Sequence, residues 1–173
     1  ATRGWTEEFC RAQLIGSIDN SESFKTYMRG KFSLKFLEEI AILRKGNPVQ
    51  EFGLDNLIFC VRDDRGRVVG FAARNLNWTE NSDEQKYYNT RVAGTKVNVY
   101  EKSKRLYGIH NYLRTRQSKE DPLYIFEGYA DWATAVTAGF NQCVAIGGTA
   151  FTDKHVEELR RLDISRLILA LDG

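Results

Sequence analysis

The sequence is poor in proline and cysteine and has no long apolar run. Two prolines among 173 residues leave room for regular helices and strands. The longest wholly apolar runs are five residues, at 57–61 and 167–171, whereas a helix crossing a bilayer needs about 20. That excludes a transmembrane helix in this sequence and predicts no membrane partner. The opening ATRGWTEEFCR holds no apolar stretch of signal-peptide length. Cys10, Cys60 and Cys143 lie far apart with no CxxC pair, which excludes a zinc site and a disulfide framework in this segment. They are expected to be reduced core thiols of a cytoplasmic protein. His110 and His155 have no second histidine at ligand spacing and read as surface or capping residues. No serine or cysteine sits in a nucleophile elbow. There is no Walker lysine and no GxGxxG, which disfavours nucleotide folds of those types.

What is present is a globular balance of 42% hydrophobic and 28% charged residues, enough for one domain or two small lobes. The net charge of +2 conceals an asymmetry. Residues 1–55 are neutral, 56–117 carry +6 and 118–173 carry −4. A basic block followed by an acidic one predicts two surfaces, the first for a polyanion and the second for a cation.

Residues 5–45 read as helical, with apolar positions at three- and four-residue steps. Ser33 is the expected N-cap of the later run, Gly46 its stop, and Pro48 lies beyond it. Residues 57–61 and 67–74 flank the turn cluster Asp63-Asp64-Arg65-Gly66 and predict a β-hairpin. Residues 75–99 predict loops and short strands, with mobility over 77–85. Residues 101–117 read as one helix. From 122 onward strand, helix, strand, helix and strand alternate at 123–126, 129–138, 142–146, 152–162 and 166–171. That order predicts a parallel sheet with right-handed crossovers. The fold class is α/β, and the sequence stops directly after a strand, as a piece of a longer protein would.

In open parallel sheets ligands bind beyond the carboxyl ends of the strands. Those ends carry Glu127-Gly128-Tyr129-Ala130-Asp131, Gly147-Gly148-Thr149 and Asp172-Gly173. Carboxylates converging from strand ends suit Mg²⁺, which takes a few carboxylates and completes its shell with water and substrate phosphate. For Asp131 the competing reading is that it complements a helix N-terminus. Gly147-Gly148-Thr149 either cradles a phosphate or makes a tight turn. Arg62, Arg65, Arg67 and Arg74 surround the hairpin, and Lys86-Tyr87-Tyr88-Asn89 follows. Cations interleaved with aromatics make a groove for single strands or nucleotides; a solvated β-surface is the alternative.

RDDRGRVVGFAAR, KYYN, YEKSKRLYG, EGYAD, a GT…T..H…L stretch and LDG, in this order and spacing, resemble the catalytic core of bacterial DnaG-type DNA primases, which contains a TOPRIM fold. Residues 56–173 carry the resemblance, and 1–55 follow it more loosely. Ala72-Ala73, Tyr88 and Ser103 depart from the family's usual glycines and leucine. The resemblance implies a basic α+β N-terminal lobe over residues 1–117, with 1–55 as helical lead-in, and the first part of a TOPRIM lobe over 118–173. It implies Glu127, Asp131 and Asp172 as catalytic residues, with Glu127 and Asp172 holding Mg²⁺ or Mn²⁺. It places nucleotide and template binding on Arg67, Arg74, Lys86, Tyr87, Asn89 and Lys102, with Arg62 as a neighbour. The implied activity of the full-length protein is synthesis of short RNA primers on single-stranded DNA from ribonucleoside triphosphates. A replicative helicase would be a partner through regions outside this sequence. The rival readings are a TOPRIM nuclease or topoisomerase, the latter needing a catalytic tyrosine, although nothing marks Tyr129 beside the motif as a nucleophile, and a non-catalytic nucleic-acid-binding module of a phage or mobile-element protein.

Overall fold

A computed structural model of the chain describes residues 3–40, 42–49, 52–89, 102–148 and 150–171. Its contacts group into two units. One comprises Arg11–Cys60 and Gly70–Tyr100; the other comprises Ala1–Cys10, Val61–Val69 and Glu101–Gly173.

The chain opens with α1 (Glu7–Gln13), the short strand β1 (Ile15–Gly16), α2 (Ser21–Lys31) and α3 (Leu34–Glu39). Local chemistry starts these helices. Asn20 accepts a bond from the Ser23 N–H at 2.9 Å, and Ser33 accepts one from the Phe36 N–H at 3.2 Å. Glu22 in the first turn of α2 and Arg29 and Lys31 in its last turn complement the helix dipole.

The expected continuation of this helix to Gly46 is not what forms. The chain instead makes a small hairpin, β2 (Leu43–Arg44) with β3 (Asn47–Pro48), pairing Leu43 with Pro48. Lys45 and Gly46 both take positive φ, 49° and 78°, which suits the two-residue turns that match strand twist. Arg29 donates to the Gly46 carbonyl at 2.9 Å, and Glu38 accepts from the Gly46 N–H at 3.0 Å. Pro48 is tolerated because both strands of a two-stranded sheet are edges.

The larger antiparallel sheet has the order β1–β4–β5–β6, with β4 (Asn56–Arg62), β5 (Val68–Asn75) and β6 (Tyr87–Asn89). The hairpin of β4 and β5 is the one the sequence predicts. The core of this unit gathers Leu37, Leu43, Phe52, Ile58, Ala73 and Tyr88. Phe52 stacks on Phe24 at 5.5 Å and meets Phe71 edge-on at 5.2 Å.

The other unit carries the parallel sheet, with β7 (Leu123–Phe126) between β8 (Cys143–Ala145) and β9 (Leu167–Ala170). Both pairings are parallel. The crossovers are α5 (Tyr129–Thr137) and α6 (Asp153–Arg161), as the alternation predicts. β7 and β8 are largely buried, whereas every residue of the edge strand β9 is exposed. The core here includes Leu106, Ile109, Tyr112, Ile125, Val144 and Leu159.

The helix expected over 101–117 is broken in two. A 3₁₀ turn at Lys102–Lys104 is followed by Tyr107, which bridges to Ala145, and then by α4 (Ile109–Thr115). Gly108 separates them at φ +86°. His155 is fully buried, stacked on Phe151 and accepting from the Thr152 N–H through Nδ1 at 3.2 Å. It is a capping residue and not a surface one. The three cysteines are free thiols. Cys143 is buried, and burial pushes its thiol up to about 12; Cys10 and Cys60 are only partly buried.

Candidate functional site

Glu127 follows the last residue of β7, the central strand, and is partly buried. Its carbonyl accepts from the Gly148 N–H at 2.8 Å, which ties the end of β7 to the glycine pair after β8. A Cβ on Gly147 would lie 2.4 Å from the Tyr129 hydroxyl oxygen, so the packing of Tyr129 accounts for glycine there. Tyr129 is 1% exposed and meets Tyr107 edge-on at 5.0 Å. A tyrosine so enclosed is not presented to DNA as a nucleophile.

Asp131 is the third residue of α5. Its Oδ2 accepts from the Gly128 N–H at 3.1 Å, so one carboxylate oxygen caps the helix. Oδ1 lies 3.7 Å from the Arg3 guanidinium in an exposed pair. Glu127 and Asp131 thus occupy a strand end and the helix start that follows it, and both offer hard oxygen donors of the kind Mg²⁺ takes. Asp172 lies outside the described residues, as does Thr149. Among the described residues no group of three or more His, Cys, Asp or Glu side chains is placed to hold a metal. The two described carboxylates suit an ion chemically and do not complete its site.

The basic positions fall into two sets. Arg62 and Arg67 belong to the unit that carries the parallel sheet, at the tip of the β4–β5 hairpin. Arg67 is turned onto its own turn: Nε and Nη2 lie 2.8 and 2.7 Å from Asp63 Oδ2. Oδ1 of Asp63 accepts from the N–H groups of Arg65 and Arg67 at 3.0 and 2.9 Å. Burial raises the Asp63 pKa, but the Arg67 side chain and these N–H bonds outweigh it and leave the carboxyl below its ordinary value.

Since the folded value is the lower one, Asp63 contributes stability above about pH 4, its unfolded range. That contribution disappears as pH falls through the folded value. Asp63→Asn keeps an acceptor for the backbone and loses the guanidinium bonds. Because Arg67 is largely exposed, the expected cost at pH 7 is only about 1–2 kcal/mol. Urea unfolding at pH 7 and pH 3 checks this. The variant should be weaker at pH 7, and the gap should narrow at pH 3, as the pH falls towards the lowered folded value.

Arg74, Lys86, Tyr87 and Asn89 belong to the other unit. Register brings Arg74 opposite Tyr87 and Ala72 opposite Asn89. The Arg74 guanidinium carbon lies 5.1 Å from the Tyr87 ring centroid. It also lies 5.7 Å from the ring of Trp78, and the Lys86 ammonium lies 5.0 Å from that same ring. Sequence reading passed over Trp78, which sits in the polar stretch taken for loop. The available signal was a lone indole between Arg74 and the KYYN segment.

That stretch carries its own bonds. Asn75 Nδ2 donates to Glu84 at 2.6 Å, Asn75 Oδ1 accepts from the Asn77 N–H at 2.9 Å, and the Thr79 N–H donates to Ser82 at 2.9 Å. Lys102 lies in the 3₁₀ turn.

A cavity of about 300 Å³ is lined by Lys104, Arg105, Lys154, Glu157, Glu158 and Arg161. Glu158 is buried there, with Oε1 2.9 Å from Arg105 and 3.9 Å from Arg161. Burial raises its pKa against the pull of both arginines. This cavity holds an internal ion-pair network.

Residues 1–113 match the family described as DNA primase catalytic core, N-terminal domain, and residues 121–173 match the Toprim domain. The chain belongs to the DNA primase catalytic-core family. It is 40% identical over 117 residues to the DNA primase of Chlamydia pneumoniae, covering 68% of this chain and 19% of that protein. To the DNA primase of Lactococcus lactis it is 29% identical over 175 residues, covering 99% and 26%. The chain thus spans about a fifth to a quarter of the length of these primases. The RNA polymerase domain of Mycobacterium tuberculosis primase DnaG, solved with a double-stranded DNA oligomer bearing a 6-nucleotide overhang, superposes with a TM-score of 0.79. It shares 31% identity over 99% of this chain and 54% of that one. The fold described above is shared with that domain, and no described helix of this chain is long and apolar enough to cross a membrane.

Proposed function

We propose that the intact protein synthesises short RNA primers on single-stranded DNA by nucleotidyl transfer. The observation that carries this reading is the placement of Glu127 at the carboxyl end of the central parallel strand, in a chain matching both the primase core and the Toprim domain. In the proposed reaction a 3′-hydroxyl attacks the α-phosphate of a ribonucleoside triphosphate, a P–O bond forms and pyrophosphate leaves. Glu127 and Asp172 would hold Mg²⁺ or Mn²⁺, and Asp131 would position the shell around it. Such an ion, when bound, lowers the pKa of the attacking hydroxyl and offsets phosphate charge.

Residues 118–173 would be the start of the catalytic lobe, and residues 1–117 the lobe that handles template and nucleotide. Arg62, Arg67, Arg74, Lys86, Tyr87, Asn89 and Lys102 would meet phosphates and bases. The DNA-bound Mycobacterium tuberculosis domain supports assigning a DNA partner to this chain. Arg67 and Asp131 each carry a structural bond besides the proposed role, so their contributions would be smaller than those of Arg74 and Glu127. A replicative helicase would engage regions outside this chain.

The test is a primer-synthesis assay on the intact protein with labelled ribonucleotides and a single-stranded template. Short RNA products that require both template and divalent cation are expected, and chelation with EDTA should remove them. Tight single-stranded DNA binding with no RNA product would instead favour a binding module.

A further inference from the structure

We propose that Trp78 is a positioning residue for template binding: its indole holds Arg74 and Lys86 ready for backbone phosphates. The inference rests on reading this surface as the site of single-stranded DNA, and it adds a residue that lies between the RDDRGRVVGFAAR and KYYN segments and belongs to neither.

The two cations come from different places in the chain, the end of β5 and the residue before β6, and converge on one ring. The Arg74 guanidinium carbon is 5.7 Å from the centroid, and the Lys86 ammonium is 5.0 Å away. Like charges brought together this way repel, and the face of an indole offsets that repulsion through its quadrupole.

The kind of partner decides what the cations can do next. A carboxylate neutralises a guanidinium and occupies its N–H donors, as Asp63 does to Arg67 at 2.7 and 2.8 Å. A ring orients a cation while leaving its charge and its donors for a phosphate. Arg74 is therefore held between two rings, Trp78 and Tyr87 at 5.1 Å, with its chemistry still to be used.

The backbone on either side of Trp78 is itself held by hydrogen bonds. The Asn77 N–H is bonded to Asn75, and the Thr79 N–H to Ser82. The Asn75 N–H donates to the Lys86 carbonyl at 3.1 Å and closes the loop. Two long side chains pre-ordered in this way lose less rotamer freedom when they meet DNA. A base stacking on the same ring would have to compete with the cations, so the geometry favours positioning over stacking.

The test is fluorescence anisotropy of the intact protein with a labelled oligo-dT across a KCl series. Trp78→Leu should weaken binding about 5- to 20-fold at low salt. It should also flatten the slope of log K against log salt by about 1, since each phosphate contact on a single strand contributes roughly 0.7. Trp78→Phe, which keeps an aromatic face, should recover most of both. In an Arg74→Ala, Lys86→Ala background, Trp78→Leu should do nothing further.

Binding and slope equal to wild type would overturn the proposal. So would weaker binding at unchanged slope, which would make the ring a base-stacking platform. The same loss in the background lacking both cations would reduce Trp78 to a structural residue. Absence of salt-dependent binding by the wild-type protein would instead remove the underlying reading of this surface, and the proposal with it.

Discussion

Replacing Glu127 by glutamine should abolish primer synthesis by the intact protein while leaving its affinity for single-stranded DNA nearly unchanged. Glutamine keeps the shape at the end of β7, and the backbone bond from Gly148 to the Glu127 carbonyl is untouched, so the fold should survive. What is lost is one negative charge from the oxygen donors. A hard divalent ion is dehydrated reluctantly, and each carboxylate lost weakens its hold. Metal stabilisation of the transferring phosphate is worth several kcal/mol, which corresponds to a loss in rate of at least about 10³-fold.

Asp131→Asn makes an informative companion. An amide oxygen still accepts from the Gly128 N–H, so its structural contribution should persist and its rate loss should be smaller. The measurement is initial rate of labelled primer formation in Mg²⁺, with DNA binding followed separately by anisotropy. Synthesis by Glu127→Gln at a rate comparable with wild type would remove Glu127 from the proposed metal site.

The parallel sheet was legible in the sequence because its signals are local. Short apolar strands end at Phe126 and Ala145, a glycine follows α5, and Thr152 caps α6 through its own hydroxyl. The hairpin of β4 and β5 was legible for the same reason, since Asp63-Asp64-Arg65-Gly66 contains both the turn and the carboxylate that locks it. Misreadings arose where a distant partner decides the local conformation. Leu43 fits the helical spacing set by Phe36 and Ile40 as well as it fits a hairpin strand, and the left-handed turn at Lys45 and Gly46 is held by Arg29 and Glu38. The site was legible as residue types at strand ends. Asp131 at a helix start was legible too, and it does cap α5; what the sequence did not disclose was Arg67 as a turn lock and Trp78 as the ring beside two cations.

The break between Tyr107 and α4 gives the largest stability effect expected from a single methyl group. Gly108 has φ +86°, and a Cβ built there would lie 2.1 Å from Trp132 Nε1 and 2.4 Å from Cε2. Trp132 has little freedom to retreat. It is 1% exposed, its Nε1–H donates to the Cys143 carbonyl at 3.1 Å, and Tyr107 packs edge-on against it at 4.8 Å. Displacing the indole would leave a buried carbonyl without this donor and open the packing between α5 and β8.

Gly139 supplies the control within the same unit. Its φ is +89°, and nothing lies within 4 Å of a Cβ built there. Gly139→Ala should therefore cost only the left-handed strain, about 1–2 kcal/mol. Gly108→Ala pays that strain plus the overpacking and a lost buried hydrogen bond, for an expected total of about 3–5 kcal/mol. Urea unfolding of the two variants beside wild type, followed by tryptophan fluorescence, separates the contributions. Equal losses for both alanines would mean that Trp132 yields freely and that conformation alone demands glycine at 108; a variant at 108 too unstable to purify, beside a well-behaved one at 139, agrees with the indole setting the break in the chain.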